Sequence, residues 1–164
     1  MGYDGFVRVV KDEDLSTPHS DQRYQLGARH AKNGNFYCYV YNDGGANIAT
    51  GKYCVIKGIG SSMTSGYSVT VTNASLAGWM AGVAQTTIST GYYGFVMYRG
   101  VSLIAVDGGE VSANVGVDLA LGTDGGFVAA GATFSTAPRF GQTMNSFVTT
   151  VGTSKAFIFN SILG

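Results

Sequence analysis

Residues 94–109 read GFVMYRGVSLIAVDGG, and this stretch decides the fold. It holds two short apolar runs, 94–99 and 101–106, which meet at Gly100 and end at an Asp-Gly-Gly sequence. Short runs rich in β-branched and aromatic residues, bounded by glycine and aspartate, are typical of β-strands, whereas helices need longer segments with a period near 3.6. The stretch therefore predicts two successive strands followed by a turn.

The same alternation of apolar runs and Gly, Asn or Asp turns extends along the chain. Residues 67–72 (YSVTVT) alternate apolar and polar side chains with period two, as in a strand with one buried face. The other predicted strands cover residues 36–41, 52–57, 83–89, 115–120, 127–130, 146–151 and 156–159. The best helix candidate is 73–81, with one or two turns at most. About ten short strands with frequent turns predict an all-β fold, a β-barrel or β-sandwich.

The first 35 residues differ from the rest in charge. They contain ten of the 20 Lys, Arg, Asp and Glu residues of the 164-residue chain. The remainder falls far below the roughly 25% of charged residues that a typical soluble domain carries. We interpret residues 1–35 as an extended arm that is ordered only against a partner, with residues 33–35 as the hinge and residues 36–164 as the β body. A body so poor in charge is expected in an assembly.

Composition and charge also limit the classes of molecule that the chain is expected to bind. The formal net charge is zero and no basic stripe is present, so nucleic acid is not an expected ligand. No run is long and apolar enough for a membrane helix, and the N-terminus lacks the apolar region of a signal peptide. Without a secretion signal, Cys38 and Cys54 are expected to be two buried thiols in preference to a disulfide.

The sequence offers little catalytic or metal-binding chemistry. His19 and His30 are the only histidines, and both lie in the predicted arm, where reacting groups would not be held in place. A metal site of His30 with Asp21 or Glu13 would lack the usual ligand spacing. Four carboxylates of the body would suit a carboxylate pair or a Ca²⁺ site, namely Asp107, Glu110, Asp118 and Asp124. Three of the four occur in Asp-Gly-Gly turns or at strand ends, where aspartate is favoured for turn geometry, so we interpret them as turn residues. We predict no enzymatic activity, no cofactor and no metal.

The aromatic residues around Trp79 have two interpretations. They belong to the core or to a subunit interface, or they form an exposed platform that binds sugars. We predict an interface between copies of the chain; its residues would be Trp79, Tyr92, Tyr93, Phe95 and Tyr98.

Residues 82–160 carry a distinctive pattern of glycines, turns and apolar strands. Its first part consists of Gly82, Ala84, Ile88, Gly91, Gly94, Val96 and Gly100. Its second part consists of Val111, Asn114 at or beside a position where glycine is expected, Gly116, Leu119, Asp124, Gly125 and Gly126, followed by residues 138–141 and 156–160. This pattern resembles small β-barrel proteins of tailed bacteriophages that decorate and cement the capsid. Residues 36–81 do not match it and are expected to be an insertion or a small β subdomain.

The resemblance implies a virion structural protein on the outer surface of an icosahedral capsid, made in the host cytoplasm. Such proteins stabilise the shell through non-covalent contacts with the major capsid protein, usually as homotrimers. The arm residues expected to touch the capsid are Tyr3, Phe6, Val7, Val9, Arg23 and Tyr24. The alternatives are another virion subunit, from a tail, spike or head fibre, or a carbohydrate-binding β module.

Overall fold

The computed structural model describes residues 9–57, 67–71, 80–106, 116–122, 125–129, 139–144 and 152–159. One short 3-10 helix, Asp12–Ser16, precedes ten strands in these ranges. The strands are β1 (Arg29–Lys32), β2 (Asn35–Asn42), β3 (Tyr53–Ile56), β4 (Ser68–Thr70), β5 (Met80–Ala84), β6 (Tyr93–Val106), β7 (Asp118–Leu121), β8 (Phe127–Ala129), β9 (Gly141–Thr143) and β10 (Gly152–Ile158). The predicted all-β class is confirmed. No helix in the described ranges is long and apolar enough to cross a membrane.

The strands close into two rings that share β6. The hydrogen-bonded order is β1-β2-β4-β3-β5-β6-β10-β9-β7-β8, and two further pairings join β2 to β6 and β6 to β8. The first of these closes β2, β4, β3, β5 and β6 into a ring, and the second closes β6, β10, β9, β7 and β8. We call the ring from β2 to the first half of β6 the first unit, and the ring from the second half of β6 to β10 the second unit.

Both units have the same topology. In each, the first strand is parallel to the third, and the third is antiparallel to the second. The second is antiparallel to the fourth, the fourth to the fifth, and the fifth to the first. The chain is therefore an internal structural repeat in which β6 is the last strand of one unit and the first strand of the next.

A sequence trace of this repeat lies after the first strand of each unit. Residues 43–51 read DGGANIATG and residues 107–116 read DGGEVSANVG, so both combine Asp-Gly-Gly, Ala-Asn-Ile/Val and a glycine. That glycine stands two residues before the second strand of its unit, at φ 80° in Gly51 and φ 81° in Gly116. Glycine adopts these left-handed values without the steric cost of a Cβ atom.

Strand β6 is one strand of 14 residues, not the two predicted from the sequence. Residues 93–99 pair with β2 and residues 100–106 pair with β10, so the chain passes from one ring to the other at Gly100. Gly100 has φ 124°, and a Cβ atom there would collide with the Asn35 amide. The Asn35 Oδ1 accepts a hydrogen bond of 2.8 Å from the Val101 amide. The predicted break is thus a local adjustment inside a continuous strand.

The core has two parts. Alternate residues of the first unit fill its ring, among them Cys38, Val40, Cys54, Val69 and Val96. A larger cluster joins the outer side of the first unit to the inside of the second; its largest buried members include Tyr39, Tyr53, Phe95, Phe127 and Ile104. The Tyr53 hydroxyl donates a 2.6 Å hydrogen bond to the Gly122 carbonyl and so links the units.

Residues 9–32, which we call the N-terminal segment, pack on the first unit, and the predicted extended arm is wrong for them. Leu15 and Tyr24 lie in the larger core cluster, and β1 pairs antiparallel with β2. An isolated bridge joins His19 to Tyr93 of β6. The high charge of this segment does not require a partner molecule, because several of its charged side chains pair with one another.

Two smaller expectations change in detail. The strands within residues 36–81 form the first unit together with the first half of β6, so the small β unit expected there extends to residue 99. Met80 and Ala81, predicted to end a helix, begin strand β5. The predicted strand at 146–151 and most of the helix candidate lie outside the described residues.

Candidate functional site

A buried polar cluster fastens the N-terminal segment to the first unit. We call Asp14, His19, Tyr24 and Tyr39 the buried clasp. The Asp14 Oδ1 lies 3.3 Å from His19 Nε2, and its Oδ2 accepts a hydrogen bond from the Tyr24 hydroxyl. On the other side of the imidazole, Nδ1 lies 3.4 Å from the Tyr39 hydroxyl. The clasp therefore connects the 3-10 helix, the following loop and strand β2.

Electrostatics keep the Asp14 carboxylate ionised. Burial raises its pKa, but hydrogen bonds from Tyr24 and His19 and the Arg23 guanidinium 3.8 Å away more than offset burial, so the pKa lies below the ordinary value. A carboxylate that accepts several hydrogen bonds is stabilised in its charged form. Among the described residues, no buried side-chain polar atom lacks a hydrogen-bond partner.

The clasp has the residue types of a catalytic relay but not the access. Its order, carboxylate to imidazole to hydroxyl, is the arrangement used to activate a nucleophile. The His19 side chain is only 1% exposed, so no substrate can reach the imidazole in this conformation. What the arrangement can do here is hold the N-terminal segment in place.

A second polar cluster, which is more exposed, joins Asp12 to His30 and Lys32 of strand β1. Asp12 Oδ1 is 2.9 Å from His30 Nε2, and Asp12 Oδ2 is 3.2 Å from Lys32 Nζ. Hydrogen bonds from His30 and Lys32 lower the pKa of the Asp12 carboxyl. Arg29 on the same strand lies over the Tyr98 ring at 5.3 Å. The basic residues of this edge strand are thus engaged within the chain.

The predicted capsid-contact residues fall into three groups: outside the described residues, exposed, and buried. Tyr3, Phe6 and Val7 lie outside the described residues. Val9 is 81% exposed and the Arg23 side chain is half exposed, so both are accessible. Tyr24 is buried against Tyr39 and Phe95, and its prediction as a contact residue is corrected because its ring is part of the core.

The predicted oligomer interface is not a single surface either. Trp79 lies outside the described residues, and Tyr92 is exposed. Tyr93 is partly buried between Tyr39 and Tyr41, with ring centroids 6.0 Å and 4.7 Å away. Two further residues, Phe95 and Tyr98, are buried within one copy of the chain, which corrects their assignment to an interface.

Sequence reasoning missed an exposed apolar surface on the second unit. We call the outward side chains of β6, β10, β9 and the residues just after them the second-unit face; they are Val101, Leu103, Met144, Lys155, Phe157 and Phe159. Leu103 is 61% exposed, Met144 45%, Phe159 44% and Phe157 39%. The signal was present in residues 155–159 (KAFIF), where apolar residues occupy both faces of a strand.

Within the described ranges, the cysteines and acidic residues form no reactive centre. Cys38 and Cys54 are free and buried, and burial raises the pKa of their thiols to about 11 and about 12. Asp118 pairs with Arg139 and accepts a hydrogen bond from Gln142. In the described part of the chain, no group of three or more His, Cys, Asp and Glu residues is placed to hold a metal ion. Asp107, Glu110 and Asp124 lie outside that part.

Comparison with known proteins shows a likeness of fold. No family model matches the chain, and no curated protein matches its sequence. Among solved structures, the chain is similar to the N base of the head fibre protein gp8.5 of bacteriophage phi29. The alignment has a TM-score of 0.50 and 14% sequence identity, and it covers 76% of this chain and 96% of the phage protein chain. At this identity the likeness concerns the fold alone.

Proposed function

We propose that the chain is a structural subunit of a tailed-phage virion, mounted on the outside of the head. The observation that carries the proposal is the similarity of fold to a head fibre base, which extends over nearly the whole of that base. The glycine-punctuated pattern of residues 82–160 leads to the same class of virion protein from the sequence.

The physical character of the chain supports this role. Among the described strands, two closed rings with a shared strand leave few free backbone edges, which makes a stiff scaffold that resists unwanted strand addition. The body carries little charge, so its surfaces can be buried against other subunits with little of the desolvation cost of unpaired ions. These are the properties that a subunit of a permanent assembly needs.

The partner in this proposal is the major capsid protein, and the contact lies at the N-terminal end of the chain. Val9 exposes an apolar side chain there, and the guanidinium of Arg23 is half exposed on the same segment. A homotrimer fits the proposal, because cyclic assembly keeps the complex finite. The chain would serve either as the base of a head fibre or as a cement protein.

Labelling the virion tests the proposal directly. Antibodies against the chain, detected by gold particles in electron micrographs, should decorate the heads of the phage whose genome encodes it. Label confined to the tail would replace the head assignment with a tail subunit. A virion without label would overturn the proposal.

A second measurement separates the cement role from the fibre-base role. Virions that lack the chain should release DNA at a lower temperature if the chain cements the shell, since a ligand that binds only the assembled shell stabilises it. If the chain is a fibre base, the release temperature should be unchanged and fibres should be absent from the heads.

A further inference from the structure

The second-unit face is continuous across three strands. In the register of β6 and β10, Leu103 lies opposite Lys155 and Val101 lies opposite Phe157. Phe157 in turn lies opposite Gln142 of β9, and the Met144 amide donates a 2.8 Å hydrogen bond to the Lys155 carbonyl. The rings of Phe157 and Phe159 stack with centroids 6.4 Å apart. These side chains therefore form one patch.

The internal repeat identifies the matching surface on the first unit. There, Tyr37 and Tyr39 project from the first strand, and Phe95 and Met97 project from the fifth. Leu103 and Phe157 hold the corresponding positions on the first and fifth strands of the second unit.

The two matching faces differ in what covers them. On the first unit, Leu15 and Tyr24 of the N-terminal segment cover the face, with Tyr24 5.2 Å from Tyr39 and 5.6 Å from Phe95 between ring centroids. In the described parts of the chain, Leu103 and Phe157 remain exposed. An exposed apolar patch of this kind marks an interaction surface.

The chemistry of the face suits a second copy of the same chain. It is rich in Phe, Leu and Met and contains one charged residue, Lys155, which is the composition of an interface core. The zero net charge of the chain removes overall repulsion between copies.

We propose that a second copy of this chain docks on the second-unit face and buries Leu103 and Phe157. The proposal rests on the proposed role as an assembly subunit, because it names the surface by which copies associate. The matching face of the first unit is covered by the N-terminal segment of the same chain, and the second-unit face obtains its cover from another copy.

Light scattering after size-exclusion chromatography tests this with the full chain. The wild type should give a multiple of the 17.1 kDa chain mass, whereas Leu103→Glu and Phe157→Glu should each weaken self-association by on the order of 100-fold. The matched control is Phe36→Glu, which makes the same change as Phe157→Glu at a side chain of similar exposure, 36% against 39%, outside the face. It should keep the wild-type mass.

Three results would overturn the proposal: a monomeric wild type, a Leu103→Glu/Phe157→Glu double variant of unchanged mass, or an equal loss of mass in Phe36→Glu. Circular dichroism and a thermal melt establish that each variant is folded before its mass is interpreted. Co-sedimentation of the same proteins with phage heads separates this proposal from the proposed function. A wild-type monomer that binds heads overturns only the docking surface, and an oligomer that ignores heads overturns only the virion role.

Discussion

Replacing Asp14 by Asn should weaken the attachment of the N-terminal segment to the first unit. The carboxylate accepts hydrogen bonds from Tyr24 and His19, and both oxygens are used. Asparagine has the same shape but keeps one acceptor oxygen and places an amide donor where the other was. One of the two buried partners therefore loses its acceptor.

The size of the effect follows from that loss. A hydrogen bond to a charged group contributes roughly 1.5–3 kcal/mol, and a buried donor left without an acceptor adds its desolvation cost. We expect Asp14→Asn to lower the free energy of unfolding by about 2–3 kcal/mol. A domain of this kind has roughly 5–15 kcal/mol in total, so the variant should still fold.

Urea denaturation and amide hydrogen exchange are the assays. The urea midpoint should fall by about 1 M, given the slopes typical of small proteins. The amides of His19 and Tyr93 donate 2.8 Å hydrogen bonds to each other's carbonyls. Asp14→Asn should speed the exchange of these two amides more than that of the other amides of β6. This pattern would show local opening of the segment ahead of global unfolding.

Asp21→Asn is the matched control, because Asp21 is an exposed carboxylate in the same segment. It should change the free energy of unfolding by less than about 0.5 kcal/mol, as surface substitutions usually do. The reasoning would be refuted if Asp14→Asn stayed within that range, or if the His19 and Tyr93 amides kept their protection.

Three further predictions concern pH, the ring crossing and the thiols. Because the folded pKa of Asp14 lies below its ordinary value of 3.8, its contribution should be complete above that pH and lost as the pH falls through the folded pKa; the stability gap between wild type and Asp14→Asn should close there in acid titrations. Gly100→Ala should lower the urea-derived free energy of unfolding by roughly 1–3 kcal/mol, since alanine at φ 124° is strained. Gly45→Ala, which has open space around it, should be near neutral, and equal effects would contradict the argument. Cys38 and Cys54 should react slowly with a thiol reagent in the folded protein and rapidly in urea, because burial raises both pKa values; fast reaction without urea would disprove this.

The sequence was informative wherever the signal was local. Apolar runs at 36–41 and 52–57 correspond to β2 and β3, because alternation and flanking turns are properties of neighbouring residues. Strands β1 and β9 were not predicted, since their residues (RHAK and GQT) are polar and short. They are strands because their partners provide hydrogen bonds, which no local pattern records.

Non-local features account for the other differences. Pairing of β2 with β6 and of β6 with β8 closes the rings. Neither pairing could be predicted, because the paired strands are far apart in the sequence. The charge of residues 1–35 indicated an arm, but Asp14 is balanced by His19 and Arg23 within the same segment. The clasp depends on Tyr39, which lies 20 residues beyond His19 on another strand. Residues 155–159 carried a local signal for the apolar second-unit face, but only the register of β6 with β10 places Leu103 beside them.

The sharing of β6 has a mechanical consequence. Two domains joined by a loop can swing about it, but here the joint is an uninterrupted strand hydrogen-bonded into a ring on either side of Gly100. Force applied to one ring is therefore transmitted to the other through this strand, because no loop between them can extend first. Because the residues that close the first ring (93–99) run directly into those that begin the second (100–106), we expect the two rings to unfold together under load.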